Sequence, residues 1–131
     1  MIVGLWAVCQ AWSQDNNYRV HAVFLYNFTK YVQWPTESQS GDFVIGVVGN
    51  SAIYDELMRI TAGKTTGSQK IVVTKFKSAD AIVNCHMLFI PADQNFEKVQ
   101  AKVAGKPVLL ISEKPGLAQK GSNINFVIKD N

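Results

Sequence analysis

The segment Tyr18 to Pro35, YRVHAVFLYNFTKYVQWP, limits the fold of this chain more than any other stretch, because it reads as a helix apolar around most of its circumference. Val20, Phe24, Phe28 and Val32 recur every fourth residue, and His21, Leu25, Thr29 and Tyr31 widen that stripe until little polar face remains. Such a helix is stable only when most of it is covered. Pro35 ends it, since proline lacks an amide hydrogen and biases Trp34 away from helical geometry. The aromatic residues exceed what one core-facing stripe requires. Tyr26, Tyr31 and Trp34 are therefore candidates for a partner interface, where such residues are enriched. The alternative is a helix lying across a sheet with its tyrosine hydroxyls reaching water.

What could cover the helix is legible downstream. FVIGVVG, Phe43 to Gly49, is a nearly continuous Val/Ile run of the kind found in central parallel strands. Asn50 or Ser51 can cap a following helix in which Ile53, Leu57 and Ile60 share a face, and Gly63 ends it. Lys64 to Gln69 reads as a Gly/Ser/Thr loop and Ile71 to Phe76 as a second strand. Met87 to Ile90 is a third strand, stopping at Pro91. Asn95 to Ala104 is a helix with Phe96, Val99 and Val103 inward, terminated by Gly105. Val108 to Ile111, Leu117 to Lys120 and Ile124 to Ile128 follow as strand, short helix and strand. Strands alternating with short helices imply an α/β fold: a mostly parallel five-stranded sheet with helices on both faces. Right-handed crossovers favour the strand order 2-1-3-4-5.

With 131 residues the chain is long enough for one core and not for two. Its formal charge of +3 comes from scattered lysines, without the basic and aromatic interleaving of a nucleic-acid surface. Residues 1–13 read as the remnant of a secretory signal peptide, with residues 14–131 as a single domain. MIVGLWAVCQAW is too short an apolar stretch to span a bilayer, and Ala11 and Ser13 set a cleavage spacing before Gln14. No Lys or Arg precedes Arg19, so on this reading Met1 lies inside a longer leader; the alternative is a buried N-terminal helix or strand. Cys9 would leave with the leader, and its neighbours do not make a lipoprotein box. Cys85 then remains alone, best read as a small buried hydrophobe at the start of a strand.

A catalytic constellation is hard to assemble from this chain. Cys85 and His86 are adjacent on a strand, so they point to opposite faces and do not converge on a metal ion or form a nucleophile pair. Ser112 to Gly116 lacks the Gly-x-Ser-x-Gly elbow. A phospho-receiver needs an acidic pair after the first strand, where Gly49 and Asn50 stand. No cofactor is expected. In a sheet of this order ligands bind beyond the carboxyl ends of the strands, which makes Asn50, Ser51, Asp93 and Glu113 the candidates for a ligand crevice.

Three segments together resemble the YfiR family: AVFLYNFTKYVQWP; FVIGVVGNS with its amphipathic helix; and NCHMLFIP through VLLISEKPGLAQKGSNINFVIKDN. They cover nearly all of Tyr18 to Asn131 in the family's order. The resemblance implies a periplasmic, non-enzymatic regulator that represses a membrane-bound diguanylate cyclase by binding its sensor portion, with an outer-membrane-linked lipoprotein relieving the repression. Cyclic di-GMP and biofilm formation would then be its outputs. It also implies a further strand and helix after Asn131, so that the chain reads as cut at both ends and the last strand as an edge prone to homodimer formation. Some members carry disulfides; here Gly46 stands where a partner for Cys85 is expected, which implies no internal bridge. The alternative function is a periplasmic small-ligand sensor acting on another membrane receptor, such as a histidine kinase. No direct membrane insertion is expected.

Overall fold

The computed structural model describes residues 2–114 and 120–126, excluding the side chains of residues 2–16 and 125. Helix α1 (Ile2–Tyr31) leads through a single 3-10 turn (Thr36–Ser38) into β1 (Phe43–Val48), followed by α2 (Ile53–Thr61). A short hairpin of β2 (Thr65–Thr66) and β3 (Gln69–Phe76) comes next, then β4 (Met87–Ile90), α3 (Phe96–Val103), β5 (Leu109–Ser112) and β6 (Ile124–Asn125). The sheet order is β2-β3-β1-β4-β5-β6. The five strands expected from the sequence are present in that order, β3-β1-β4-β5-β6, joined by four parallel pairings. Lys64 to Gln69 is the exception: Thr65–Thr66 forms an antiparallel edge strand on β3, and not a plain loop. The expected helix over residues 117–120 and the outer part of the last strand lie largely outside the described residues.

The two faces of the sheet follow from strand alternation. Phe43, Ile45 and Val47 of β1, with Met87 and Phe89 of β4 and Ile111 of β5, face α1 and α2, where Ala22, Leu25, Ile53 and Leu57 complete one core. Val48, Leu88, Ile90 and Leu110 face the other way, against Phe96, Val99 and Val103 of α3. Gly46 belongs to this second face. A Cβ there would stand 2.5 Å from Cε2 of Phe76 and 3.0 Å from Cδ1 of Leu88, so the Phe76 ring fills the space that any side chain at residue 46 would need.

The helix that dominates the sequence docks in an unexpected rotation. The stripe Val20, Phe24, Phe28, Val32 reads as the buried one, yet Val20 and Phe24 are half exposed and Phe28 and Val32 only flank the core. The buried face instead runs through His21, Ala22, Leu25 and Thr29. Ala22 lets the helix backbone approach the sheet, and Thr29 satisfies its own hydroxyl by donating to Tyr26 O at 2.7 Å. A helix apolar on nearly every side has no strong periodicity to fix its rotation. The shape of the surface it meets decides the matter.

Cys85 and His86 do point apart. His86 stacks on Phe43, ring centroids 4.5 Å apart, and bridges two segments: its Nδ1 accepts from Val44 N at 3.1 Å, which leaves Nε2 to donate to Ser38 O at 2.7 Å. Cys85 is buried on the α3 side with a free thiol. Burial pushes that thiol up to about 11, against a smaller opposing pull from Lys106. In a Cys9→Ser background, a thiol reagent near neutral pH should label native Cys85 about 100-fold more slowly than urea-unfolded chain, because the thiolate is the reacting species. Equal rates would show that the thiol is open to solvent.

Candidate functional site

Three loops leave the carboxyl ends of adjacent parallel strands: Gly49-Asn50-Ser51 after β1, Pro91-Ala92-Asp93 after β4, and Ser112-Glu113-Lys114 after β5. The chain crosses from β1 to β3 on one side and later enters β4 on the other, so β1 and β4 flank the point where the winding direction reverses. Gly49 closes β1 at φ 73°, a left-handed conformation suited to glycine, and its N–H donates to Phe76 O at 2.7 Å. The Gln94 side chain sits in the space a Cβ at residue 49 would occupy.

Of the four crevice candidates, the structure brings Ser51, Asp93 and Glu113 into one electrostatic neighbourhood around Tyr18, a residue the sequence offers only as one aromatic among several. Asn50 and Asp93 form an exposed rim. Ser51 is half-buried; its Oγ accepts from Ile53 N at 3.3 Å and its carbonyl from Tyr54 N at 3.1 Å, but the residue at the N-cap of α2 is Ala52, which has no side-chain cap bond, and not Asn50 or Ser51. Glu113 accepts from Ala92 N through Oε1 at 3.1 Å. Its Oε2 is buried without a well-formed hydrogen-bond partner among the described residues. Burial pushes this carboxyl above its ordinary value, and the charge on Asp93 adds to the effect; the Ala92 amide and the Tyr18 hydroxyl pull it back. Tyr18 is raised in turn, first by burial and then by Glu113.

His21, one helical turn on from Tyr18, extends this cluster. Its ring stacks on Phe126, centroids 4.1 Å apart and planes 8° from parallel, and meets the Tyr18 ring edge-on at 6.4 Å. Burial lowers its affinity for a proton, and its Nδ1 has no hydrogen-bond partner among the described residues. Periodicity could not separate His21 from the helix core. The only sequence signal was its imidazole within an otherwise apolar face.

The interface candidates divide. Tyr31 is 81% exposed at the end of α1, and Tyr26 is half-buried with the Lys30 ammonium 4.6 Å above its ring. Trp34 is corrected to a core residue: it is buried edge-on against Phe43, and its Nε1 donates to His86 O at 3.1 Å. A side chain so placed is not available to a partner. Among the described side chains of α1, the large exposed apolar residues are Val20, Val23, Phe24 and Tyr31.

A hollow of about 180 Å³ opens near the amino ends of β1 and β3, between Trp34, Gln39, Phe43, Thr66, Ser68 and Gln69. It is lined by neutral side chains, with no acid, base or thiol beside the Ser and Thr hydroxyls. Among the described residues no group of three or more His, Cys, Asp or Glu is placed to hold a metal ion, and no helix is long and apolar enough to cross a membrane.

Neither a curated protein nor a solved structure matches this chain. The profile of the YfiR/HmsC-like family does, over residues 18–131, which takes in α1 from Tyr18 onward, the whole sheet and all three strand-end loops. A match of that extent, covering 18–131, places the chain in the YfiR/HmsC-like family.

Proposed function

We infer that this protein is an exported negative regulator that holds a membrane-bound diguanylate cyclase inactive by binding its periplasmic portion, with an outer-membrane-linked lipoprotein relieving that hold. Membership of the YfiR/HmsC-like family carries this reading. The surface of α1 is compatible with it. Val20, Val23 and Phe24 with Tyr31 one further stretch along the helix give an exposed apolar strip of the kind that protein partners cover. Tyr31 and the half-buried Tyr26 are the residues proposed to meet the partner. Residues 1–13 serve, on this reading, as part of the export signal, and regulation proceeds through contact and not through catalysis.

The test is cellular cyclic di-GMP in a host strain with and without the full-length gene. Deletion is expected to raise the level, and a periplasmic copy to lower it again where a leaderless copy does not. An unchanged level on deletion would remove the cyclase from the reading.

A further inference from the structure

We propose that the open outer edge of β3, together with the flank of α2 that overlooks it, binds an extended acidic segment of a protein partner by strand addition. The inference concerns a surface separate from α1 and does not depend on the partner being a cyclase. β3 lies between β1 and the short β2, and β2 covers only its start, with Thr65 opposite Lys70 and Thr66 opposite Gln69. The Ile71 N–H donates outward to Lys64 O at 3.1 Å, whereas Phe76 O turns the other way and accepts from Gly49 N at the end of β1. Backbone groups alternate in direction along a strand. Val73 and Lys75 share the direction of Ile71, and so present their N–H and C=O groups away from β1. Among the described residues no strand pairs with them there.

Helix α2 supplies a wall to this edge. Its buried face runs through Ile53, Leu57 and Thr61. On one flank of that face Glu56 pairs with Arg19 of α1 at 3.5 Å. The opposite flank carries Tyr54 and Met58, one turn apart, and the Lys75 ammonium lies 4.7 Å above the Tyr54 ring, which sets this flank over β3. Met58 is 46% exposed. A chain laid along β3 finds backbone partners on one side and an apolar shelf on the other, the arrangement by which sheet edges capture extended peptides.

The charge of the occupant follows from the exposed lysines Lys64, Lys70, Lys75 and Lys77, which lie on or beside β3 without an ion pair among the described residues. Lys70 and Lys75 fall on opposite faces of the sheet, so an added strand meets positive charge above and below. A second copy of the same edge would set lysine against lysine, which is how exposed edges discourage self-pairing. A strand bearing glutamate or aspartate turns the same charges into attraction, and the edge thereby selects its partner. Aliphatic side chains at the strand's other positions meet Met58 and Tyr54.

The experiment is titration of the full chain with the acetylated, amidated peptide Glu-Val-Glu-Val-Glu-Val, read by amide hydrogen exchange at single residues and by fluorescence anisotropy of a labelled copy. Binding should slow exchange of the Val73 and Lys75 amides about tenfold or more. The same peptide N-methylated throughout keeps its charges and side chains but cannot form a ladder, and should bind about tenfold more weakly or worse. Lys-Val-Lys-Val-Lys-Val should also bind about tenfold more weakly or worse, and Lys75→Glu should narrow that difference by about fivefold or more. No binding at millimolar peptide would overturn the proposal. So would equal affinity for the N-methylated or the lysine peptide, or protection confined to α1 or β6. Protection of Val73 and Lys75 that grows with protein concentration in the absence of peptide would overturn it in favour of a second copy. If Lys75→Glu fails to fold, the comparison of the three peptides on the native chain decides alone.

Discussion

Replacing Trp34 by alanine is expected to remove about 3–5 kcal/mol of unfolding free energy, the range for deleting a buried aromatic. The indole joins three parts of the chain that are far apart in sequence. Its ring stands edge-on to Phe43 at 4.9 Å and 86°, and lies 6.2 Å from the His86 ring. Its Nε1 donates to His86 O, and its own carbonyl accepts from Gln39 Nε2 at 2.8 Å. His86 in turn binds Ser38 O and Val44 N, so the connection from α1 to β1 is pinned to the start of β4 through this one cluster. Trp34→Phe keeps an aromatic ring and gives up chiefly the N–H bond, and should cost about 1 kcal/mol. Urea unfolding followed by far-UV circular dichroism, with unchanged m-values, reads both differences. A Trp34→Ala variant within about 1 kcal/mol of the parent chain would show that the connection is held elsewhere, since large losses require a mechanism such as a core cavity.

The neighbouring pair Phe24 and Leu25 should behave in the opposite order to their sizes. Leu25→Ala is expected to cost about 2–5 kcal/mol and Phe24→Ala about 1 kcal/mol or less. Leu25 is fully buried in the core between α1 and the sheet, whereas Phe24 is 46% exposed and touches Phe126 with ring centroids 6.2 Å apart. Burying a leucine is worth about 1.5–3 kcal/mol from solvent transfer alone, and the hole left behind adds to the loss on truncation. The same urea titration measures the two variants side by side. If Phe24→Ala proved the more damaging, α1 would be docked on the stripe that its sequence suggests. The exposed strip of Val20, Val23 and Phe24 would then no longer be available to a partner.

The sheet was readable because strand sequences carry their environment residue by residue. Phe43, Ile45 and Val47 alternate with Val44, Gly46 and Val48; the first set packs under α1 and α2 and the second lies on the α3 side. The right-handed crossover preference then left few orders for the strands, and the one chosen is the one present. The placement of Cys85 and His86 on opposite faces followed from the same alternation. Thr65–Thr66 was missed because two threonines in a Gly/Ser-rich stretch carry too short a pattern to mark an edge strand, which forms only when β3 offers its free side.

The crevice was partly readable for a topological reason. Ser51, Asp93 and Glu113 each follow a strand, and parallel strands bring their carboxyl ends to one edge of the sheet. Tyr18 and His21 could not be assigned to it from the chain alone, since they lie on a helix whose every face is apolar or aromatic. Trp34 could not be placed for a related cause: an aromatic after the last helical turn has no periodicity to place it, and the carbonyl that receives its N–H belongs to His86, just before β4. Local pattern thus determined the elements, their order and the faces of the sheet, because those depend on properties that neighbouring residues share. The rotation of α1, the burial of Trp34, the meeting of Tyr18 with Glu113 and the stacking of His21 on Phe126 were decided only by tertiary structure. They depend on how closely two particular surfaces fit, and packing at that density distinguishes one apolar helix face from another where hydrophobicity does not.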